Sequence, residues 1–390
     1  MFVALLTQGA QMITSFEVKK LNRKISGVFN FQDDLNIMTG KNGCGKTTIM
    51  KALWYMISGN SDKLFEELYL EYALLKMSNG TSFEIIVKGD EKSKGKKIIQ
   101  YELVLIDTMI NDGGVEKIII EDSLSFENYS DLPTFPISES SLFFPTFRRI
   151  EGGFSINTIN NRKYRRPSLR DSLEQISETL TNGNNHKFIA SISTEDVIYL
   201  LNSKYADISE IIRKMEANQS SQILAIVANS QDKEKTALED IRKLVKKNDK
   251  QKEDALMPFT ILSDLIRNIF KDTSIEISNN LKLGENLSKT EQSSLDIGNT
   301  REAIMSDKLS AGEKQMLGFL CYNFFYDNCV FFIDEPELSL HTDWQRILFP
   351  TLLKQKRNNQ FIIATHSPFI YTKYTNKEII IGSDKGDNNG

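Results

Sequence analysis

Residues 35–57 read LNIMTGKNGCGKTTIMKALWYMI and set the fold of the chain. A strand-like piece, Leu35 to Met38, leads into the glycine-rich run Gly40 to Thr48. Apolar residues then recur at the spacing of one helix face, at Ile49, Met50, Leu53, Trp54 and Ile57. The run fits the pattern G-x-x-x-x-G-K-T in full, and its place between a strand and a helix is the context that supports such a motif. The stretch therefore predicts an α/β fold with a phosphate-binding loop.

The side chains of this loop have separate roles toward a bound nucleotide. Glycines let backbone N–H groups converge on phosphate, Lys46 can reach the β- and γ-phosphates, and Thr47 can offer its hydroxyl to Mg²⁺. We therefore expect Thr47 to be a metal ligand. The nucleotide is expected to contact Asn42, Gly43, Cys44, Gly45, Lys46, Thr47 and Thr48.

A second stretch, Val330 to Pro336, ends an apolar strand in two adjacent carboxylates. In an α/β sheet, residues that follow a buried strand emerge at its carboxyl end, beside the bound phosphates. Asp334 would hold Mg²⁺ directly or through water, and Glu335 would orient or deprotonate the attacking water. Two acids capping a strand end in solvent would be the alternative, which the four preceding apolar residues disfavour.

Two more segments carry candidate phosphate contacts. Ser310, Gly312 and Glu313 belong to a helix start that fits a capping box, and this pattern alone would mean an ordinary helix start. A helix N-terminus also supplies free N–H groups for a phosphate. His366 follows the predicted strand Phe361 to Ala364, which should lie beside the carboxylate strand. We interpret His366 as a γ-phosphate sensor rather than as a structural histidine.

The length and composition limit the classes of protein to which this chain can belong. The chain has 390 residues, enough for one large or two modest domains, and its 40% hydrophobic and 26% charged residues fit a soluble globular protein. A net charge of −4 gives no global attraction to nucleic acid or to an anionic membrane. Three scattered cysteines form no disulfide framework, and no run approaches the ~20 apolar residues of a membrane span. We expect a cytoplasmic protein with no membrane partner.

The order of patterns predicts four parts. These are an N-terminal lobe with the glycine loop and an antiparallel meander from Ser82 to Ile120, a helical insertion, a C-terminal lobe and a disordered tail. Their predicted bounds are residues 1–166, 167–270, 271–382 and 383–390. Helical periodicity in the insertion includes the segments Thr194–Lys214 and Lys233–Lys247. The charged run from Asp232 to Asp254 has only about three heptads and a poor a/d pattern, so long coiled-coil arms are not expected.

The strongest local basic cluster follows a predicted strand, Ser141 to Phe144. Its members are Arg148, Arg149, Arg162, Lys163, Arg165, Arg166 and Arg170. A solvated surface is the default interpretation, and a contact to nucleotide phosphate, nucleic acid or an acidic partner is the alternative. Arg148 stands out because it follows a strand end, as a phosphate-facing residue would.

Taken together, the segments GKNGCGKTT, LSAGEKQ, FFIDEPELSLH and ATHSP resemble the stand-alone ABC-class P-loop ATPases related to RecF, SMC and OLD proteins. Many members of this group are called AAA family ATPases, and many belong to bacterial anti-phage systems. The resemblance covers roughly residues 12–165 and 275–382. It implies an ABC-type head with an antiparallel β subdomain and an inserted helical subdomain, which binds ATP and Mg²⁺ and hydrolyses ATP to ADP and phosphate.

The same resemblance assigns roles to individual residues. Lys46 would bind phosphate and Thr47 would bind Mg²⁺. Asp334 would bind Mg²⁺ and Glu335 would act on the attacking water. Ser310 and Gly312 would contact the γ-phosphate of the opposite protomer, and His366 would be the histidine of the switch segment. The chain departs from the family pattern in two places. The Q-loop glutamine has no clear counterpart, and Arg148 or a neighbour is the candidate substitute. The D-loop aspartate is replaced around His341.

The resemblance also bears on partners. PtuA-type ATPases of Septu and retron systems, and the ATPase of PARIS systems, are analogous, and both work beside a separate effector. Residues 367–390 are too few for the C-terminal Toprim nuclease of OLD-type proteins. We therefore expect no nuclease domain in this chain and a separately encoded effector, such as a nuclease.

These features are compatible with three candidate functions. The leading hypothesis is an ATP-hydrolysing switch that forms a head-to-head dimer, or a higher oligomer, around ATP and regulates an effector in anti-phage defence. A RecF-like repair ATPase that binds nucleic acid through the region from Arg148 to Arg170 is the alternative. A transporter cassette subunit is disfavoured, because Leu309 lies 262 residues after Thr47 and transporter cassettes are compact.

Overall fold

The computed structural model describes residues 12–89, 97–111, 114–126, 140–150, 185–192, 194–228, 234–269, 276–277, 283–284, 310–355 and 357–382, and the single positions 177 and 180. The chain divides into two compact units. The larger unit consists of Met1–Ile192 and Tyr326–Gly390, and the helical unit consists of Ser193–Phe325. The four-part division drawn from the sequence stays a prediction.

An antiparallel sheet of six strands forms one layer of the larger unit. Its spatial order is β2 (Ile25–Asn30), β1 (Ile13–Leu21), β4 (Tyr72–Met77), β5 (Ser82–Gly89), β6 (Lys97–Asn111) and β7 (Gly114–Phe126). The predicted meander from Ser82 to Ile120 is confirmed. The sequence does not predict β4, because the residues YALLKM lack the β-branched residues typical of strands.

A parallel sheet of six strands forms the other layer and carries the glycine loop. Its spatial order is β10 (His186–Phe188), β8 (Ser140–Phe144), β14 (Cys329–Asp334), β15 (Gln360–Ala364), β3 (Leu35–Thr39) and β16 (Glu378–Ile380). Every residue of β3, β14 and β15 is buried, as in strands covered on both faces. Two further short strands, β9 (Arg149–Ile150) and β11 (Ser191–Ile192), form a separate parallel pair. The predicted α/β fold, with one parallel and one antiparallel sheet, is confirmed.

One buried amide joins the two sheets. The Gln360 side chain, at the start of β15, is fully buried. Its Oε1 accepts a hydrogen bond from the Ile13 N–H at 2.9 Å, and its Nε2 donates to the carbonyls of Ile13 at 2.7 Å and Gln32 at 2.9 Å. Because both ends of the amide are satisfied, this contact fixes the start of β1 against the parallel sheet.

The helices of the larger unit are α1 (Lys46–Ser58), α2 (Ser61–Glu67), α6 (Thr342–Lys354) and α7 (Pro368–Tyr371), with a 3₁₀ turn at Thr375–Lys377. Trp54 of α1 is fully buried and donates from Nε1 to the Ser141 hydroxyl at 3.2 Å. That hydroxyl lies 2.8 Å from His186 Nδ1. His186 is therefore a structural histidine that helps to seat α1 against β8.

The helical unit contains α3 (Thr194–Ala228), α4 (Glu234–Ile269) and α5 (Ala311–Phe325), with a short hairpin of β12 (Glu276–Ile277) and β13 (Leu283–Gly284). Lys252 of α4 forms an ion pair with Glu216 of α3 at 2.9 Å. Since five residues, 229–233, separate two helices that are each roughly 50 Å long, the pair is an antiparallel hairpin.

Both helices of this hairpin are longer than the sequence predicts. The predicted segments are Thr194–Lys214 and Lys233–Lys247, and the observed helices have 35 and 36 residues. Lys233 lies outside the described residues, and the rest of both segments lies inside these helices. The extensions include polar residues around Ser220 and a proline at Pro258, which weaken the local helix signal. Packing between the helices outweighs that local preference. Among the described helices, none combines the length and apolar character needed to cross a bilayer.

Candidate active site

The glycine loop connects β3 to α1, as predicted, and two of its glycines have backbone angles that disfavour any side chain. Gly40 and Gly45 have φ angles of +145° and +106°. A Cβ on Gly40 would lie 2.4 Å from the Ile381 carbonyl oxygen, and one on Gly45 would lie 2.1 Å from Ile25 Cδ1. Gly45 is also the N-cap of α1, and no side chain caps that helix start. The first-turn N–H groups are thus available to an anion.

The other loop residues lie where a nucleotide could reach them. Asn42, Gly43 and Thr47 are exposed, whereas Cys44 and Thr48 are half-buried. Their predicted contacts to nucleotide stay predictions.

The structure brings two predicted catalytic side chains together, Lys46 and His366. The Lys46 Nζ lies 2.7 Å from His366 Nε2 and donates to the Gly40 carbonyl at 3.2 Å. Partial burial and the positive charge of Lys46 lower the pKa of His366. The imidazole is therefore neutral at neutral pH, and its Nε2 accepts a hydrogen bond from the ammonium. The same Nε2 lies 3.5 Å from Glu335 Oε1.

Two hydroxyls converge on the fully buried Asp334. Its Oδ2 accepts hydrogen bonds from Thr47 Oγ1 at 2.8 Å and from Thr146 Oγ1. Its Oδ1 is buried and has no hydrogen-bond partner in the described part of the chain. An uncompensated carboxylate oxygen next to a hydroxyl is the kind of oxygen donor set that Mg²⁺ prefers. Thr47 and Asp334 thus fit the predicted metal site.

Thr146 is a functional candidate that the sequence interpretation missed. It follows β8 by two residues, and β8 pairs directly with the carboxylate strand β14. The signal that could have found it is its place at the carboxyl end of a predicted strand, where α/β proteins gather their ligand-binding groups.

Glu335 has an unusual backbone conformation. Its φ is +51°, in the left-handed region, although it precedes Pro336 and a residue before proline favours the extended region. This conformation costs on the order of 1–3 kcal/mol. Three hydrogen bonds hold it: the Glu335 N–H donates to the Ala364 carbonyl at 2.8 Å, and its carbonyl accepts from the Leu338 N–H at 3.2 Å and from Arg148 Nη2 at 2.9 Å.

The carboxyl group of Glu335 is a weak acid. Burial, the neighbouring Glu337 and the charge of Asp334 together raise its pKa to about 8, against a smaller opposing effect of Lys46. A raised pKa near the working pH is typical of a general base.

Arg148 supports the carboxylate strand from inside the protein. Its Nη1 donates to the Asp334 carbonyl at 2.7 Å and to the Pro145 carbonyl at 3.1 Å. Only 8% of the residue is exposed. Burial lowers its pKa to about 10, against the opposing charges of Asp334, Glu337 and Glu335, so the guanidinium remains charged at neutral pH. Arg148 is therefore buried against backbone carbonyls, which corrects the default interpretation of a solvated surface for this residue. Its contact to nucleotide phosphate stays a prediction.

Of the other residues of the basic cluster, Arg149 begins the short strand Arg149–Ile150. Arg162, Lys163, Arg165, Arg166 and Arg170 lie outside the described residues. A contact of this region with nucleic acid stays a prediction.

Ser310 and Glu313, in the helical unit, form the predicted capping box. The Ser310 N–H donates to Glu313 Oε2 at 2.7 Å, and the Glu313 N–H donates to Ser310 Oγ at 3.3 Å. Gly312 is buried in the first turn of α5. The role of these three residues toward a partner's nucleotide stays a prediction. His341, where the family's D-loop aspartate is replaced, is exposed and caps α6 by accepting from the Asp343 N–H at 3.4 Å.

The chain is similar in sequence to known proteins. A family model described as "AAA domain, putative AbiEii toxin, Type IV TA system" matches residues 35–371. Two curated relatives are a "Retron Ec83 probable ATPase" of Escherichia coli, 24% identical over 381 residues, and a "Retron Vc95 probable ATPase" of Vibrio cholerae serotype O1 biovar El Tor, 25% identical over 199 residues. The matches cover 87% and 46% of this chain, and 65% and 37% of the relatives' own lengths.

Two solved structures show a looser likeness. One is the Smc head domain of Pyrococcus furiosus, with an extended coiled coil, bound to the C-terminal domain of ScpA (14% identity, TM-score 0.35, covering 93% of this chain and 91% of that one). The other is the recombination mediator RecF with ATPrS (12% identity, TM-score 0.32, covering 92% and 94%).

Proposed function

The chain belongs to the AAA-domain family described above, and from that membership we propose that it binds ATP and hydrolyses it to ADP and phosphate. One observation carries the proposal: Lys46, Thr47, Asp334, Glu335 and His366, from three different segments of the chain, converge at the carboxyl ends of β3, β14 and β15. Two relatives named as probable ATPases support it.

The side chains suggest a division of labour. The N–H groups of the loop and the Lys46 ammonium bind the β- and γ-phosphates, which requires Lys46 to exchange its contact with His366 for phosphate. Glu335 accepts the proton of the attacking water, and His366 donates a hydrogen bond to the γ-phosphate end. Mg²⁺, held by Thr47 and Asp334, would neutralise phosphate charge.

Removal of the loop lysine tests this proposal. We expect Lys46→Ala to lower kcat/KM for ATP by about 100-fold or more, because the ammonium stabilises the charge of the transferred phosphoryl group. A phosphate-release assay measures the rate. The matched control is Lys51→Ala, five residues further along α1, where the partly exposed ammonium pairs with Glu67 at 2.9 Å. ATP turnover at the wild-type rate in Lys46→Ala would contradict the proposal.

We further propose that two copies, as a dimer or within a higher oligomer, close head-to-head around two ATP molecules, with Ser310, Gly312 and Glu313 of each copy facing the other's γ-phosphate. The dimer would regulate a separately encoded effector, such as a nuclease, in anti-phage defence in the cytoplasm. Support comes from the resemblance of LSAGEKQ to a signature motif and from relatives named as retron ATPases.

Native mass measurement tests the dimer. With ATP, the Glu335→Gln protein, which retains ATP, should double in mass, and adding Ser310→Arg should return it to the monomer. A Glu335→Gln protein that keeps the same mass with and without ATP would contradict head-to-head closure. Co-purification with the product of a neighbouring gene tests the effector, and the absence of any stable partner would contradict regulation of this kind.

A further inference from the structure

Glu337 connects the turn after β14 to the segment that carries His366. A single carboxylate oxygen, Oε1, accepts three hydrogen bonds: from Thr365 Oγ1 at 2.7 Å, from the His366 N–H at 2.8 Å and from the Ser367 N–H at 2.9 Å. The sequence interpretation gave Glu337 no role in the site. Bonds from N–H and O–H groups to an ionised carboxylate are among the stronger hydrogen bonds in proteins.

The segment from Thr365 to Ser367 is also held on its other sides. The Thr365 N–H donates to the Met38 carbonyl at 3.2 Å, and Ser367 Oγ donates to Gln345 Oε1 at 2.6 Å. Thr365 is fully buried, whereas the His366 side chain projects outward and is 38% exposed. The backbone on both sides of His366 is thus fixed, while its imidazole contacts Lys46 Nζ at 2.7 Å and is partly exposed to solvent.

We propose that Glu337 is a positioning residue for hydrolysis, which sets the direction of His366 by holding its backbone N–H. The inference rests on the proposed ATPase function and deepens it. Glu335 and Glu337 belong to the same turn, whose Leu340 N–H donates to the Glu337 carbonyl at 3.0 Å. The general base and the support of the sensor histidine therefore belong to one short segment, and His366 Nε2 lies 3.5 Å from Glu335 Oε1.

Three variants separate geometry from charge. Glu337→Ala removes all three hydrogen bonds and should lower kcat by about 10- to 100-fold, since a small displacement of a catalytic group can cost about 100-fold in rate. Affinity for ADP should change less than about 3-fold, because ADP lacks the γ-phosphate that His366 meets. Glu337→Gln keeps an oxygen that accepts the same bonds and should retain most of the rate. Thr365→Val removes one donor and should lower kcat by a few-fold.

A double-mutant cycle with His366→Ala tests whether Glu337 affects the rate of hydrolysis through His366. If Glu337 acts through His366, Glu337→Ala should change kcat by less than about 3-fold once His366 is absent. Additive losses, or a Glu337→Gln protein as slow as Glu337→Ala, would overturn the proposal. Glu71→Ala, which removes an exposed carboxylate paired with Lys20, is the matched control.

The outcomes also separate this inference from the proposed function. If Lys46→Ala and Glu335→Gln hydrolyse ATP at the wild-type rate, the ATPase proposal itself fails. If both are inactive while Glu337→Ala is normal, only the positioning role fails. Should Glu337→Ala not fold, Glu337→Gln and Thr365→Val in the presence and absence of His366 carry the same test.

Discussion

Glu335→Gln should lower the kcat of ATP hydrolysis by about 100- to 10,000-fold, the usual contribution of a general base. The amide has nearly the shape of the carboxyl group but cannot accept a proton from water. Glu335 is the group suited to this task, because its pKa is raised to about 8 and its backbone is held in a fixed conformation beside His366. Binding of ATP should persist, since Lys46 and the loop are unchanged.

The same variant makes a distinct prediction for stability. A carboxyl group whose pKa is higher in the folded state than in the unfolded state binds more protons when folded, so its ionisation destabilises the fold as pH rises from about 4.5 to about 8. Glutamine does not ionise. The Tm of Glu335→Gln should therefore equal or exceed that of the wild type at pH 6, and the difference should grow in favour of the variant toward pH 9.

Thermal unfolding and phosphate release at several pH values measure both effects. Glu17→Gln is the matched control, because Glu17 is a partly exposed carboxylate on β1, in the antiparallel sheet. A Glu335→Gln protein with wild-type turnover would show that another group takes the proton. A Tm difference that shrinks as pH rises would show that the Glu335 carboxyl is not the weak acid described above.

The parts of this site that can be predicted from sequence are those set by local patterns. The glycine loop needs left-handed glycines at fixed spacing, and the strands before Asp334 and His366 are continuous apolar runs. Each of these signals lies within a few neighbouring residues. Local patterns also identified Lys46 and Thr47. In the structure, Lys46 contacts His366 and Thr47 donates to Asp334.

The remaining features depend on the order of strands in space. Thr146 reaches Asp334 because β8 pairs with β14, although 188 residues separate the two side chains. Glu337 reaches the segment around His366 because β14 pairs with β15. No periodicity or motif reports such pairings, and the left-handed conformation of Glu335 is contrary to the local preference before a proline. These contacts follow from tertiary structure alone.

Arg148→Ala should produce the largest loss of stability among the substitutions considered. The side chain donates to the carbonyls of Asp334 and Glu335, and both carbonyls would lose a charged donor. Hydrogen bonds to charged groups contribute about 1.5–3 kcal/mol each, and removing one member of a buried charged network costs about 3–5 kcal/mol. We expect the free energy of unfolding to fall by about 3–5 kcal/mol.

Turnover should fall as well, because Arg148 is one of the groups that hold Glu335 in its left-handed conformation. Without this donor, the backbone of Glu335 can relax toward the extended region that a residue before proline prefers, which moves its carboxyl away from His366. We expect kcat to fall by about 10- to 100-fold even at temperatures where the variant is folded.

Arg148→Lys distinguishes the charge from the geometry of the guanidinium. Lysine retains a cation that offsets Asp334, Glu337 and Glu335, but it cannot donate to two successive carbonyls in the fixed geometry of the guanidinium fork. If the fork is what supports Glu335, Arg148→Lys should recover part of the stability and little of the turnover. Urea unfolding and phosphate release on the same preparations measure the two effects, and Arg346→Ala, which removes an exposed guanidinium paired with Asp343, is the control. An Arg148→Lys protein with full turnover would mean that charge, rather than the two carbonyl contacts, is what the catalytic strand requires.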